Sequence, residues 1–202
     1  MVGKGISAAL LMANVQASVR AYASPQATAS WVCGRVNEVL CSNLAADKFV
    51  TLFYGILDAE ARTLQYSNAG HLPPLLVRSD GSAYKLSEGG AVLGVFPDWN
   101  YTEGFAQLAP GDRLLLFTDG ITEAARLDGE EFGESRVLKV AQAAAALSLG
   151  EHRASLLTEV NQFCNSHLHD DATLLLICAQ ALRVVDGAAV NPHEAVSHNV
   201  AE

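Results

Sequence analysis

The sequence predicts an α+β fold in which antiparallel sheet carries helices on its faces. Three observations lead there. Two runs of helical period open the chain. A series of short strand-like runs, separated by turn residues, occupies the middle. Two more helical runs then precede one last apolar strand.

The first helix is expected from Ile6 to Ala23, a run rich in Ala in which Ile6, Leu10, Ala13 and Ala17 share a face. Pro25 interrupts it. A second helix is expected from Ala27 to Leu44, with Trp31, Val32, Val36, Val39 and Leu40 turned inward. Asn43 and Asp47 end that pattern. Phe49 to Leu57 is aromatic or aliphatic on both faces, the pattern of a strand covered on both sides. Arg62 to Ser67 returns beside it as a hairpin across Asp58–Ala61. Leu75–Arg78 and Ala83–Leu86 make a second hairpin across Ser79-Asp80-Gly81-Ser82. Tyr101 to Leu108 alternates as a strand, Pro110-Gly111-Asp112 is a turn, and Arg113 to Thr118 is a continuous apolar strand. Val137, Leu138, Ala141 and Ala144 mark a third helix, and Leu156, Leu157, Val160 and Phe163 a fourth. Thr173 to Cys178 is the last buried strand.

The 202 residues suit one domain, expected over 1–182, because a single core usually takes about 100–200 residues. Residues 183–202 are polar and without period, and are expected to be a disordered tail. Half of the residues are hydrophobic, enough for a sizeable core. The formal charge of −9 argues against nucleic acid, whose phosphates need Lys and Arg, and against an anionic membrane surface. No apolar stretch approaches the roughly 20 residues that span a bilayer, and no signal peptide is visible. Cys33, Cys41, Cys164 and Cys178 form no C-x-x-C pair and read as reduced thiols of a cytoplasmic protein.

Two acidic positions carry the chemistry. The apolar run Leu114–Phe117 ends in Thr118-Asp119-Gly120, and the apolar run Leu174–Ile177 is preceded by Asp170-Asp171. If the two runs are antiparallel neighbours, Asp119 and Asp170 meet at one edge of the sheet. Carboxylates forced together are costly unless a proton or cation intervenes, and oxygen-only ligands suit Mg²⁺ or Mn²⁺. By pattern alone the plainer reading stands beside it: Asp119-Gly120 is a turn and Asp170 caps a loop. Among weaker candidates, His71 reads as a hydrogen-bonding loop residue and Glu123 as a helix-start charge. His167 and His169 read as incidental rather than a zinc site. Lys4, between two glycines, lacks the strand context of a nucleotide-binding loop.

An ordered set of motifs adds to this reading. The chain carries Gly3-Lys4-Gly5-Ile6-Ser7-Ala8-Ala9-Leu10, Phe49-Val50-Thr51-Leu52-Phe53-Tyr54, and Tyr66-Ser67-Asn68-Ala69-Gly70-His71-Leu72-Pro73-Pro74. Gly90–Gly94 and Pro110-Gly111-Asp112 follow. Phe117-Thr118-Asp119-Gly120-Ile121-Thr122-Glu123-Ala124 and Asp170-Asp171-Ala172-Thr173 close the series. Over about residues 1 to 180 this set resembles the SpoIIE/RsbU-like branch of the PPM (type 2C) metal-dependent serine/threonine protein phosphatases. The resemblance implies an antiparallel two-sheet β-sandwich flanked by helices, with a two-metal Mn²⁺ or Mg²⁺ centre at one end. It implies that Asp119 and Asp170 are metal ligands, with Asp171 as second choice. A metal-activated water would then attack the phosphorus of a phosphoserine or phosphothreonine. It also implies a phosphorylated regulatory partner of the anti-sigma-factor-antagonist type, and control by an upstream sensor or receiver domain.

The family pattern also carries an acidic motif on an earlier strand and an Asp in D-V-x-G-K-G, and Met1 stands where the Val of that segment belongs. The chain is accordingly expected to be N-terminally truncated, with its first strands missing. Its metal site is expected to be incomplete, with only the Met1 backbone carbonyl left at that position. Self-association through unpaired strand edges is an expected consequence. The rival reading is an inactive fragment or pseudophosphatase that acts only as a binding module.

Overall fold

The computed structural model describes residues 5–43, 48–166, 168 and 170–180. Met1, Lys4, His167, His169 and the expected tail at 183–202 lie outside these residues. Two helices come first, α1 (Ile6–Tyr22) and α2 (Ala29–Asn43). Seven strands follow: β1 (Leu52–Asp58), β2 (Thr63–Ala69), β3 (Leu75–Val77), β4 (Ala83–Lys85), β5 (Gly89–Gly90), β6 (Gly104–Gln107) and β7 (Arg113–Phe117). Then come α3 (Asp119–Thr122), α4 (Gly133–Ala143), α5 (Leu149–Phe163) and β8 (Leu174–Cys178).

The strands form two sheets. One runs β4-β3-β7-β8 and is antiparallel throughout. The other is built on β2, which pairs antiparallel with β1 along one edge. On its other edge β2 pairs antiparallel with β6 through Thr63–Tyr66 and parallel with β5 through Asn68 and Ala69. The expected all-antiparallel sandwich is therefore corrected to one antiparallel and one mixed sheet. The parallel contact has a steric cause: a Cβ on Gly89 would lie 2.0 Å from the Asn68 carbonyl oxygen, so only a glycine backbone comes this close.

Period-2 alternation sorts the strand residues into layers. Leu114 and Leu116 of β7 face a core between the sheets with Leu64, Tyr66, Leu76, Leu86 and Ile177. Leu115 and Phe117 point the other way, into a core with α3, α4 and α5 that holds Ile121, Val137, Leu156 and Phe163. On the far side, α1 and α2 cover the mixed sheet through Leu11, Val15, Val32, Val36 and Leu40. Because the side-chain period is two, a one-residue slip of β7 would exchange its two faces, so both cores fix its register.

Three readings of packing need correction. The α1 face marked by Ile6, Leu10, Ala13 and Ala17 is exposed, with Ile6 at 82%, while Leu11 and Val15 are buried. The helix carries apolar residues on more than one face, so period alone could not choose between them. Trp31 is also exposed and meets Tyr22 edge-on, and Val39 is only half-buried. β1 lies at the rim of its sheet and is half-buried to exposed rather than covered on both sides.

Candidate metal centre

The acid-bearing end follows from one pairing. β7 and β8 are antiparallel neighbours, with Phe117 opposite Leu174 and Arg113 opposite Cys178. The residues that leave β7 and those that enter β8 are therefore at the same end of the sheet. Asp119 is the second residue after β7, and Asp170 and Asp171 lie just before β8.

Local bonds hold these two segments together. Thr118 donates its N–H to the Thr173 carbonyl at 3.1 Å, and its hydroxyl oxygen accepts from the Thr173 N–H at 2.9 Å. The same hydroxyl lies 3.4 Å from the Asp171 carbonyl. A Cβ added to Gly120 would fall 2.4 Å from the Asp171 carbonyl oxygen, which shows how closely the backbones approach. Asp119 opens α3 and is exposed, and its Oδ1 accepts from the Gly120 N–H at 3.0 Å. Asp170 and Asp171 are exposed as well. Glu123 is not a helix-start charge. It caps the C-terminal end of α3, where its N–H donates to the Asp119 carbonyl at 2.7 Å.

His71 approaches the same end from the mixed sheet. Asn68, buried at the end of β2, straps its loop: Oδ1 accepts from the His71 N–H at 2.7 Å, and Nδ2 donates to the His71 carbonyl at 3.0 Å. The Thr51 hydroxyl lies 3.4 Å from the His71 Nδ1. Burial lowers the imidazole pKa below its ordinary value, and the negative charge of Asp119 opposes that shift. His71 thus has the hydrogen bonds expected of it and also sits in the field of Asp119. Only the fold could reveal that second relation, because the two residues follow strands of different sheets, β2 and β7.

The donor types at this end are carboxylate and carbonyl oxygens, which suit a hard cation. Among the described residues, no group of three or more His, Cys, Asp or Glu side chains is gathered closely enough to hold a metal ion by itself. Mg²⁺ commonly keeps several waters and takes one or two protein carboxylates together with substrate phosphate, so the acids present fit a hydrated ion. A separate open cleft of about 1310 Å³ lies between α2 and the 94–101 loop, with Trp31, Trp99 and Tyr101 among its walls. Asp119, Asp170 and Asp171 do not line it. The four cysteines are free, and no described helix is long and apolar enough to cross a membrane.

Comparison with known proteins agrees with this architecture. The family model described as Stage II sporulation protein E (SpoIIE) matches residues 1–180. "Phosphoserine phosphatase RsbU" of Bacillus subtilis (strain 168) is 29% identical over 180 residues, which is 88% of this chain and 53% of that protein. The crystal structure of the RsbU and RsbW domains of Rv1364c from Mycobacterium tuberculosis superposes with a TM-score of 0.73 at 27% identity, over 89% of this chain and 50% of that one. The SiaA-PP2C domain of Pseudomonas aeruginosa shares the fold, with a TM-score of 0.74 at 23% identity, over 88% of this chain and 72% of its own. The chain spans about half the length of RsbU and of the Rv1364c chain. By the match of its whole described length and by its two-sheet, helix-flanked architecture, this chain belongs to the SpoIIE family of PPM-type phosphatases.

Proposed function

We propose that this chain forms the site of a metal-dependent phosphoserine/phosphothreonine protein phosphatase of the regulatory SpoIIE/RsbU type. In this reading Asp119 and Asp170 hold Mn²⁺ or Mg²⁺, with Asp171 as the alternative ligand. The observation that carries it is the antiparallel β7–β8 pair, which ends with acids on both neighbouring segments at one edge. A bound ion would supply an activated water and neutralise charge on the phosphoryl oxygens. The residues of the chain do the positioning. The Gly120 N–H orients the Asp119 carboxylate, the Thr118–Thr173 bonds fix the spacing of the two segments, and the Asn68 strap holds His71 in place. Carboxylates brought to one edge favour a cation between them.

The reading extends to a phosphorylated signalling protein as substrate, of the anti-sigma-factor-antagonist type. Support comes from the name of the B. subtilis relative, a phosphoserine phosphatase, and from the presence of RsbU and RsbW domains in one mycobacterial chain. Control by a sensor or receiver domain and a cytoplasmic location belong to the same proposal.

The test is Mn²⁺-dependent hydrolysis of p-nitrophenyl phosphate and of a phosphoserine protein, with Asp119→Asn and Asp170→Asn beside the wild type. Each substitution is expected to lower turnover by about a hundredfold or more, since even outer-shell changes cost up to that much. Turnover that is indifferent to both would overturn the site. Partner binding without any turnover would favour a non-catalytic binding module.

A further inference from the structure

We propose that His71 is a substrate-contacting residue of this centre, and that its Nε2–H donates to a non-bridging oxygen of the phosphoryl group. This rests on the phosphatase reading above. Two observations carry it: the strand register sets His71 beside Asp119, and the imidazole ring is not what holds its own loop together.

β3 pairs antiparallel with β7, Leu75 opposite Leu115 and Val77 opposite Arg113. Continued past the start of β3, the same register sets Pro73 opposite Phe117 and His71 opposite Asp119. The segment stays paired on its other side, where the Pro74 carbonyl accepts from the Leu86 N–H at 2.9 Å. Proline has no N–H for β7, which is why the β3–β7 ladder stops at this point. Leu72 packs into the core that holds Phe117 and Ile121, and so keeps the segment at the Asp119 end. β8 flanks β7 on the opposite side. Asp119 therefore stands between His71 and the segment of Asp170 and Asp171. Burial lowers the imidazole pKa, and the charge of Asp119 reaches the ring to oppose that shift.

The loop does not depend on the ring. Asn68 straps it through main-chain groups alone, Oδ1 to the His71 N–H and Nδ2 to the His71 carbonyl. The ring has one hydrogen-bond contact among the described residues, the Thr51 hydroxyl at 3.4 Å from Nδ1. With that hydroxyl as donor, the ring proton sits on Nε2, which is left to bond elsewhere. A phosphoryl group bound beside carboxylates needs donors as well as a cation, because negative charge is spread over its equatorial oxygens during transfer. A neutral Nε2–H meets that need without repelling the neighbouring cation. The strapped loop has already paid the ordering of its main chain, so the donor is in place before substrate arrives.

The experiment compares wild type with His71→Ala and His71→Gln on p-nitrophenyl phosphate in Mn²⁺. The glutamine amide keeps a donor near the place of Nε2, and alanine keeps none. His71→Ala is expected to lower kcat about a hundredfold, the usual effect of one lost donor to a developing oxyanion. His71→Gln is expected to recover part of that loss. Thermal melts and Mn²⁺ affinity should stay at wild-type values, since the strap is main-chain. Wild-type kcat in His71→Ala, or an equal loss in both variants, overturns the contact. So does a loss that follows weakened Mn²⁺ binding, which would make the ring a support for Asp119. If wild type turns over no ester, the phosphatase reading fails by itself, and calorimetric binding of orthovanadate in Mn²⁺ decides the role of His71. Binding weakened by His71→Ala and partly restored by His71→Gln supports it; unchanged or absent binding overturns it.

Discussion

Thr118 and Thr173 exchange two hydrogen bonds across the end of the β7–β8 ladder, and one of them runs to a side-chain oxygen, the Thr118 hydroxyl. The hydroxyl takes over where regular pairing stops, so it fixes the distance between the two acid-bearing segments. Thr118→Val keeps the shape and deletes the acceptor. It is expected to cost about 1–2 kcal/mol of stability by stranding the Thr173 N–H. Urea unfolding measures that, and a Mn²⁺ titration should show weaker binding than in wild type.

Gly120 sits against main chain rather than against a movable side chain. A Cβ there would lie 2.4 Å from the Asp171 oxygen and 2.8 Å from its carbonyl carbon. Gly120→Ala must push the start of α3 away from the segment before β8. A destabilisation of about 1–3 kcal/mol is expected, with Mn²⁺-dependent turnover falling further than the melt alone would suggest. A variant with wild-type turnover would show that this close approach is not needed.

At the opposite end of the same sheet, Asp112 is buried at 1% exposure and accepts from Arg78 at 2.5 Å, from the Ala109 N–H at 2.8 Å and from the Ser79 N–H at 3.2 Å. Asp112→Ala removes all three acceptor contacts at once. The expected loss is about 3 kcal/mol, the lower end for a broken buried pair because the Arg78 side chain keeps 30% exposure. Denaturant unfolding should report the loss, and the intrinsic metal affinity of the folded fraction should be unchanged.

His152 makes stability depend on pH. It is fully buried on α5, and its Nδ1 accepts from the Arg113 guanidinium at 2.8 Å. The proton of the neutral ring therefore sits on Nε2, which has no hydrogen-bond partner among the described residues. Burial, and then the charge of Arg113, push its pKa down to about 4. Below its ordinary value of about 6.5 the unfolded chain takes up a proton that the folded chain refuses, so stability falls as pH drops from 6.5 towards 4 and then levels off. The contribution amounts to at most about 3 kcal/mol. Urea midpoints of wild type and His152→Gln should converge towards pH 4 if this is right. Parallel profiles across that window would exclude it.

The pairing at the acid-bearing end was legible in the sequence, as two apolar runs flanked by acids. The burial expected of the last strand was not found: β8 is an edge strand, half-buried with Leu175 exposed, because no further strand covers its outer side among the described residues. The turn at Asp119-Gly120 proved to be the start of a single helical turn, α3, too short for period to mark. α5 begins earlier than its apolar residues suggest, at a capping box formed by Ser148 and Glu151, a signal that was present in the sequence. The contact of β5 with β2 was not legible, since Gly89 and Gly90 carry no side chain to show a period. The buried face of α1 was equally hidden. Ile6 and Leu10 are as apolar as Leu11 and Val15, and only contact with α2 and the mixed sheet separates them.

The β7–β8 pairing also has a consequence during synthesis. β8 is the last described strand, so the edge bearing Asp119 and Asp170 cannot exist until residues 174–178 have left the ribosome. The β1–β2 hairpin and the α1–α2 pair are made of neighbouring segments and can condense much earlier, whereas β7 must wait for a partner from beyond α5. Until then the segment before β8 has no strand to hold it beside Asp119. If the proposed metal reading holds, ion capture at this edge would report that translation has passed β8, and a chain cut short before it would carry Asp119 without its neighbouring acids.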